Sequence, residues 1–450
     1  MTSDGINRFL FSTPDMTRVF SQAEQLRAMA QFEWALSQAL ESNGRADPGS
    51  GQVLEQLIAT DFVDLDALVR EAKDTGNIAI PFVRQLTAAV KTRSEAAARS
   101  VHLGATSQDV IDTALVLQMR AGLKLLECSL QKLDTALLAQ VKSHKETVMQ
   151  GRTWLQPGPP TTLGLKLAGT LAAVRRVRER IREEADRVLV LQFGGAVGTL
   201  ASLGSAGPSI SADLARHLRL AEPALPWHTQ RDNLAAMVQV LAILSGTLAK
   251  FGRDIALLMQ AEVSEVSEAT GEGRGGSSTM PHKHNPVASA ALIAIHGKVP
   301  GLVVTMLNAM PQEHERGLGS WQAEWDIVPE AFRLASASIT YATELAEGLK
   351  VDADRMKANM ASTLGLPLAE AVTAVLAPEL GRIDAHDLLG KVVDRAIKEN
   401  QQLSTVLKQV PEIKKHLDDE QIDKLLDARN YLGSALRFIE KVLGDDDGHS

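Results

Sequence analysis

Two long apolar seams constrain what this chain can fold into. One comprises Leu234, Met237, Leu241, Leu244, Leu248, Phe251, Ile255 and Leu258; the other comprises Leu115, Met119, Leu123, Leu126, Leu130, Leu133, Leu137 and Val141. Spacings of three and four residues bring each set onto one face of an α-helix. The first seam lies in a proline-free stretch from about residue 231 to 267. Helices this long exceed the usual length of about 10–14 residues, which predicts that they pack side by side.

Three further stretches are also candidates for long helices: 161–191, 286–309 and 328–349. Together the five predict an all-α chain with a central, elongated five-helix bundle over residues 106–350. Residues 1–105 and 351–450 read as shorter helices broken by Gly- and Pro-rich segments. We therefore expect a three-domain subunit with an N-terminal helical domain, the bundle and a C-terminal helical domain. An apolar seam can also serve packing between chains, so oligomerisation is expected.

The composition of the 450 residues is that of a soluble globular protein, with 45% hydrophobic and 23% charged residues. The single Cys128 excludes an intramolecular disulfide and fits a reducing compartment. Neither a leader peptide nor an uninterrupted apolar run of about 18 residues is found, so a cytoplasmic protein without a membrane partner is expected.

The net charge of −8 argues against nucleic acid as the main partner. The densest basic run, 175–182, is followed closely by acidic residues. It predicts a solvated helix face or inter-helix ion pairs, with ligand binding as the lesser reading.

Four polar stretches interrupt the predicted helices: VHLGATSQDVIDTA (101–114), GRTWLQPGPPTTLG (151–164), HTQRDN (228–233) and GSSTMPHKHNP (276–286). In the first, Thr106 or Ser107 could cap the following helix or hold a carboxylate at its N-terminus. His102 could carry a proton or donate to a substrate, although a lone histidine is more often structural. The second stretch indicates a loop and a helix cap, from which Thr153 and Gln156 could face a cleft.

The fourth stretch allows several kinds of site. The spacing of a phosphate-binding loop and the GxSxG of a hydrolase are both absent. A metal site at His282 and His284 is disfavoured, because no carboxylate or thiolate accompanies them and Lys283 lies between them. What is left is Ser277 or Ser278 as a base, its alkoxide stabilised by backbone N–H groups and Lys283.

In this order, the polar stretches resemble the fumarase/aspartase superfamily, which includes argininosuccinate and adenylosuccinate lyases. GSSTMPHKHNP is close to the specific signature GSSxMPxKxNP, and the resemblance covers nearly the whole chain. It implies a cofactor-free and metal-free enzyme with a five-helix bundle that assembles into a homotetramer, each active site being shared between subunits. Such enzymes remove a proton alpha to a carboxylate, which gives a doubly charged aci-carboxylate intermediate.

The resemblance assigns roles residue by residue. Ser277 matches the catalytic serine, and His102 a histidine that assists it. Carboxylate or substrate binding is implied for Thr106, Ser107, Gln230, Lys283 and Asn285, and Arg316 in ERGLGSWQAEW is a candidate for a second carboxylate clamp.

Departures from the family pattern are informative. Trp154 stands where most of these lyases have histidine, and Ala290 stands where many have the glutamate that pairs with it. Tryptophan and alanine cannot protonate an amine or alkoxide leaving group. GNIAIPF (76–82) replaces an Arg-His-Asp run of the adenylosuccinate lyases, which makes a nucleotide substrate unexpected.

One branch of the superfamily tolerates both losses. Its bacterial cycloisomerases close a tricarboxylic diene to a γ-lactone in protocatechuate degradation, and the group that leaves in the reverse direction is a carboxylate. The resemblance therefore implies an intramolecular lyase with a small tricarboxylate substrate, in which Trp154 shapes the pocket without transferring a proton. The alternatives are a fumarate-releasing lyase of the adenylosuccinate or argininosuccinate type, and a non-catalytic helical scaffold.

Overall fold

The computed structural model describes residues 6–269, 275–276, 280 and 283–444, and these are overwhelmingly helical. The helices are α1 (Pro14–Val19), α2 (Gln22–Ser42), α3 (Ser50–Ile58), α4 (Leu65–Thr75), α5 (Ala79–Lys91), α6 (Glu95–Ala98), α7 (Ser107–His144), α8 (Leu163–Val188), α9 (Gly207–Leu218), α10 (Asp232–Leu258), α11 (Val287–Ala309), α12 (Ser320–Glu324), α13 (Ile327–Glu347), α14 (Ala353–Ser362), α15 (Ala369–Leu380), α16 (Arg382–Glu399), α17 (Leu403–Leu407), α18 (Pro411–Lys414), α19 (Asp419–Leu425) and α20 (Ala435–Gly444). Four 3-10 turns accompany them at Ile6–Leu10, Ala201–Ala206, Leu366–Leu368 and Ala428–Tyr431. The all-α class predicted from the sequence is confirmed.

The five predicted long helices correspond to α7, α8, α10, α11 and α13. All eight residues of the α10 seam are buried, and in the α7 seam only Leu115 is partly exposed. The stretch predicted to run to about residue 267 ends as a helix at Leu258 instead. There the apolar seam stops, and Ser264, with a φ of 54°, donates its N–H to the carbonyl oxygen of Gln260 (2.7 Å) in a tight turn.

The chain divides into two compact units. Unit 1 comprises Met1–Leu130, Val177–Gly246 and Ala294–Thr340, and unit 2 comprises Gln131–Arg176, Thr247–Ile293 and Tyr341–Ser450. Each of the five long helices starts in one unit and ends in the other. This division does not test the boundaries expected after residues 105 and 350, which stay a prediction.

Ion pairs between neighbouring helices tie unit 1 together. Arg178 and Arg182 of α8 both donate to the Glu127 carboxylate of α7, each at 2.6 Å. These guanidinium groups hold the pKa of Glu127 below its ordinary value, although burial alone would raise it. In α11, the His296 ring lies 3.0 Å from the Ser245 hydroxyl of α10. The reading of the basic run as inter-helix ion pairs is thus confirmed for these two arginines.

Unit 2 repeats this pattern and adds a second core. Arg175 of α8 donates to Asp134 of α7 (2.7 Å), and Gln140 of α7 donates to the Ala346 carbonyl oxygen of α13 (2.8 Å). The C-terminal helices α15 to α19 enclose an apolar cluster of their own, formed by Val372, Leu376, Ala385, Leu389, Val392, Ala396, Leu403, Val406, Leu407, Ile413, Leu417 and Ile422.

The stretch expected to be a loop at 151–164 is largely a β-hairpin. Strands β1 (Val148–Thr153) and β2 (Gln156–Thr162) pair antiparallel, and a second pair joins β3 (Val266–Ser267) to β4 (Lys350–Val351). The prolines that suggested a loop are tolerated because β2 has a free edge in its two-stranded sheet. Trp154 and Leu155 form the turn, both with positive φ (52° and 64°), as a tight two-residue hairpin requires.

By length and composition alone, α10 and α11 could each cross a membrane, and the bent pair formed by α14 with 366–380 could count as a third span. Uninterrupted apolar runs do not reveal them, because polar residues are scattered along both helices. In α10, 61% of the most apolar window is buried, which fits the packed seam; in α11 only 33% is buried. Helix α11 therefore presents an apolar face that a single chain leaves open.

Leu130→Ala and Leu115→Ala truncate two residues of the same seam that differ in burial. We expect Leu130→Ala to lower the free energy of unfolding by about 3 kcal/mol, because its side chain is fully buried. The loss for Leu115→Ala should be less than half as large. Denaturant unfolding followed by circular dichroism measures both; equal losses would contradict the seam geometry.

Candidate active site

The N-terminus of α7 is organised by one buried carboxylate, that of Asp109. Its Oδ1 lies 2.7 Å from His228 Nε2 and accepts the N–H of Gly194 at 3.0 Å. Its Oδ2 accepts the N–H groups of Gly195 (2.9 Å) and Thr106 (3.0 Å). Three segments distant in the sequence, 101–109, 194–195 and 228, are thus joined at one side chain.

Gly195 is required for this junction. Its φ is 67°, and a Cβ placed on it would come within 2.8 Å of the Gly104 carbonyl oxygen. Both the left-handed conformation and the close approach exclude a larger residue without movement of the backbone.

Gln108 links the junction to Arg316. Its side-chain amide donates to the carbonyl oxygen of His228 (2.8 Å) and to Asp112 Oδ2 (3.0 Å). Its Oε1 accepts from Arg316 Nη1 at 2.8 Å, and Arg316 Nη2 donates to the Ala196 carbonyl oxygen at 2.7 Å. Burial lowers the pKa of Arg316 although Asp109 and Asp112 oppose the shift. A guanidinium nevertheless stays charged at neutral pH, so a cation lies beside the start of α7.

Next to Gln108, three charged side chains form a buried ionic triad. The Arg231 side chain is only 1% exposed and sits between Asp112 (Nη1 to Oδ2, 2.7 Å) and Glu324 (Nη2 to Oε2, 2.6 Å). Trp321 Nε1 donates to Asp112 Oδ1 at 3.0 Å. Burial lowers the pKa of Arg231, but the two carboxylates outweigh it and raise the pKa, so the guanidinium stays charged. Gln230, next to Arg231, is exposed.

His102 is held by Glu33 of α2. The imidazole Nδ1 lies 2.6 Å from Glu33 Oε1, and the His102 backbone N–H donates to Oε2 at 2.8 Å. The Glu33 side chain is fully buried, whereas that of His102 is 19% exposed. Burial lowers the pKa of His102, but the charges of Glu33 and Asp109 and the hydrogen bond to Glu33 outweigh it and raise the pKa above its ordinary value.

The predicted site residues fall into both units. His102, Thr106, Ser107, Gln230 and Arg316 belong to unit 1, where His102, Thr106 and Ser107 precede or open α7 and Arg316 contacts its first turn through Gln108. Thr153, Trp154, Gln156, Lys283 and Asn285 belong to unit 2. Ser277 lies outside the described residues.

In unit 2, Glu268 anchors the end of the signature stretch. Its carboxylate accepts the backbone N–H groups of Ala288 and Ser289, each at 2.9 Å, at the N-terminus of α11. The Asn285 N–H donates to the Gly275 carbonyl oxygen at 2.8 Å. Lys283 is exposed, as are the hairpin residues Thr153, Trp154 and Gln156.

Comparison with known proteins identifies the family to which this chain belongs. Residues 13–301 match the Lyase family, and residues 365–442 match the family described as Adenylosuccinate lyase C-terminus. The chain belongs to the fumarase/aspartase superfamily. It is 47% identical to a 3-carboxy-cis,cis-muconate cycloisomerase of Pseudomonas aeruginosa, over 97% of this chain and 95% of that one.

Two proteins of Pseudomonas putida agree with this family membership. A curated 3-carboxy-cis,cis-muconate cycloisomerase is 46% identical over 92% of this chain and 98% of its own length. The crystal structure of a 3-carboxy-cis,cis-muconate lactonizing enzyme superimposes with a TM-score of 0.94 at 44% identity, covering 99% of both chains.

Several polar residues of this superfamily member were missed by sequence reasoning: Glu33, Asp112, His228, Arg231 and Glu324. His228 and Arg231 lie within the quoted HTQRDN, where they looked like an ordinary lead into a helix. Glu33 carried a usable signal, since it lies on the same helix face as the buried Met29, Phe32 and Leu36. A charge at a core position needs a partner.

Among the described residues, no group of three His, Cys, Asp or Glu side chains is arranged to hold a metal ion.

Asp109→Asn should loosen the junction, because an amide nitrogen would replace an acceptor that faces N–H donors. We expect amide hydrogen exchange at Thr106, Gly194 and Gly195 to speed up by roughly tenfold or more. Asp134→Asn is the matched control in α7, because its carboxylate is held by Arg175 and contacts none of these amides. Mass spectrometry of peptic fragments reads the exchange, and unchanged protection in Asp109→Asn would contradict the role of this carboxylate.

Proposed function

We propose that this protein is an intramolecular lyase that converts 3-carboxy-cis,cis-muconate to a γ-carboxymuconolactone in protocatechuate degradation. The observation that carries the proposal is the near-full-length identity of 47% to an enzyme named for this cyclisation, with no large insertion or missing domain on either side. The two departures from the amine-eliminating lyases, Trp154 and Ala290, agree with it.

The forward reaction needs no co-substrate, but the trianionic substrate takes up one proton as it closes to a lactone with two carboxylates. One substrate carboxylate attacks the diene and forms the lactone C–O bond, and a proton is delivered to the carbon alpha to another carboxylate. In reverse, the alpha proton is removed, an aci-carboxylate forms and the ring carboxylate leaves. We assign the proton transfer to Ser277, which needs partial desolvation and nearby cations to act as a base.

Stabilising the aci-carboxylate is an electrostatic task, since the negative charge of the attacking carboxylate is transferred to a second carboxylate, which becomes doubly charged. We assign carboxylate binding to Thr106 and Ser107, whose backbone lies at the positive end of a long helix. Arg316 supports this assignment because its guanidinium is 2.8 Å from Gln108 in the first turn of that helix. Further substrate contacts are assigned to Gln230, Lys283, Asn285, Thr153 and Gln156.

The same proposal explains why tryptophan stands at position 154, where most lyases of the family have a histidine. Trp154, whose side chain is 97% exposed in the single chain, offers only an indole N–H and cannot donate a proton to a leaving group. A departing carboxylate needs no such proton, because it is stable as an anion. Trp154 is accordingly assigned to shaping the pocket.

We further propose a cytoplasmic homotetramer whose active sites combine residues of several chains. Two features of the single chain support an assembly: the open apolar face of α11, and the exposed Trp154 and Leu155 at the hairpin turn. Both turn residues adopt positive φ, which costs non-glycine residues about 1 kcal/mol each. Such local strain is typical of functional segments.

Turnover is tested by mixing the protein with 3-carboxy-cis,cis-muconate and following the loss of diene absorbance. Ser277→Ala should lower kcat by roughly 10²- to 10⁴-fold, because it removes the proton-transfer group. Ser267→Ala removes a hydroxyl in β3, outside the signature, and should leave kcat nearly unchanged.

No loss of absorbance from a folded wild-type protein would overturn the proposal. Fumarate release from adenylosuccinate or argininosuccinate would instead favour the lyase alternative. Equal activity of Ser277→Ala and wild type would remove Ser277 from the chemistry.

The assembly is tested by light scattering after gel filtration. Wild type should elute with the mass of four chains, and Val304→Glu, on the open face of α11, should give smaller species because it buries a charge at the interface. Val69→Glu, at an exposed position of α4, is the control and should leave the mass unchanged. A monomeric wild type would contradict the tetramer.

A further inference from the structure

We propose that Glu33 is a positioning residue that holds His102 as an imidazolium, so that the second ring N–H, on Nε2, is a charged donor for a substrate carboxylate. This inference rests on the proposed function, because it assigns a ligand class to one residue of that site. It gives His102 an electrostatic role in binding, and it leaves proton transfer to Ser277.

Both oxygens of Glu33 are committed to the same residue. Oε1 lies 2.6 Å from the ring Nδ1 of His102, and Oε2 accepts the His102 backbone N–H at 2.8 Å. A carboxylate that is ionised only accepts hydrogen bonds, so Nδ1 carries the hydrogen in this contact. Ring and backbone are therefore fixed together, which leaves Nε2 as the ring atom available to a ligand.

The burial of Glu33 demands a cation. Its side chain is fully buried in α2, between the buried Phe32 and Leu36. Placing an ionised carboxylate in such a position is costly unless a positive partner and hydrogen bonds offset the lost hydration. Among the described residues, the side chain that can supply this positive charge in contact with Glu33 is His102.

His102 is also held in an unusual backbone conformation. Its φ is 57°, in the left-handed region that non-glycine residues rarely adopt. Gly104 follows with a φ of 84°, and a Cβ there would come within 2.6 Å of the Leu203 side chain. The turn that precedes Thr106 is thus constrained at both His102 and Gly104. The hydrogen bond from the His102 backbone N–H to Glu33 stabilises it.

The charges facing His102 come from two elements: Glu33 from α2 and Asp109 from the first turn of α7. Burial lowers the pKa of His102, but these carboxylates more than offset it. Asp109 is already bonded to His228 and to three backbone N–H groups, whereas Glu33 makes the direct contact. Because the pKa is raised, the charged form persists to higher pH than in an ordinary histidine and is lost as pH rises through the raised value.

Glu33→Gln tests the pair with little change in shape. The amide oxygen of Gln can still accept the His102 backbone N–H, but the negative charge is gone. Glu41→Gln is the matched control, since Glu41 lies in the same helix and accepts the Gly49 N–H (3.1 Å) without contacting a histidine. Histidine C2-proton exchange, read by mass spectrometry as a function of pH, reports the titration midpoint of His102 without any substrate.

The expected result is a His102 midpoint above the ordinary value of about 6.5 in wild type. It should move to lower pH in Glu33→Gln and stay in place in Glu41→Gln. In steady-state kinetics with 3-carboxy-cis,cis-muconate at a pH between the wild-type and Glu33→Gln midpoints of His102, Glu33→Gln should raise KM by roughly tenfold with a smaller change in kcat. Acidification should restore KM toward wild type, which a purely structural loss would not allow.

A wild-type midpoint at or below the ordinary value would overturn the inference, even if Glu33→Gln fails to fold. An unchanged midpoint in a folded Glu33→Gln variant would do the same. If the midpoint shifts but the wild type has no cycloisomerase activity, the pair stands and the proposed function fails.

Discussion

A buried carboxylate that must satisfy all its hydrogen-bonding positions is the constraint on which unit 1 depends. Asp109 has no access to solvent, so its charge is tolerated only because His228 and three backbone N–H groups surround it. Those donors come from three segments, and each must adopt a defined backbone path to reach the carboxylate. The helix N-terminus that faces the substrate in our proposal is built as a consequence.

The same principle explains how an acidic chain would bind the tricarboxylate that we propose as its substrate. The net charge is −8, yet the acidic groups closest to the proposed site are held in ion pairs and hydrogen bonds within the chain. Arg231 pairs with Asp112 and Glu324, and His102 pairs with Glu33. Among the described residues, Arg316 donates to two carbonyl oxygens and to the Gln108 side-chain oxygen and forms no ion pair with a carboxylate, so its charge is available to a ligand.

Periodicity carried the prediction of the fold, because the seams of α7 and α10 repeat long enough to outweigh local propensity. It failed where tertiary or edge effects decide: Leu258 ends α10 early, and the proline-rich 156–162 forms a strand because its outer edge is unpaired. Within the site, Thr106, Ser107 and Arg316 could be named from motifs. Glu33 and Arg231 could not, since their roles depend on contacts with residues about 69 and 93–119 positions away in the sequence.

The most direct test of the account is a crystal structure with an unreactive tricarboxylate bound. We predict one ligand carboxylate at the hydroxyl groups of Thr106 and Ser107 and the backbone N–H of Ser107, another within hydrogen-bonding distance of Arg316, and the signature stretch, with Ser277, over the carbon alpha to a carboxylate. A tricarboxylate bound away from the start of α7 would contradict the account.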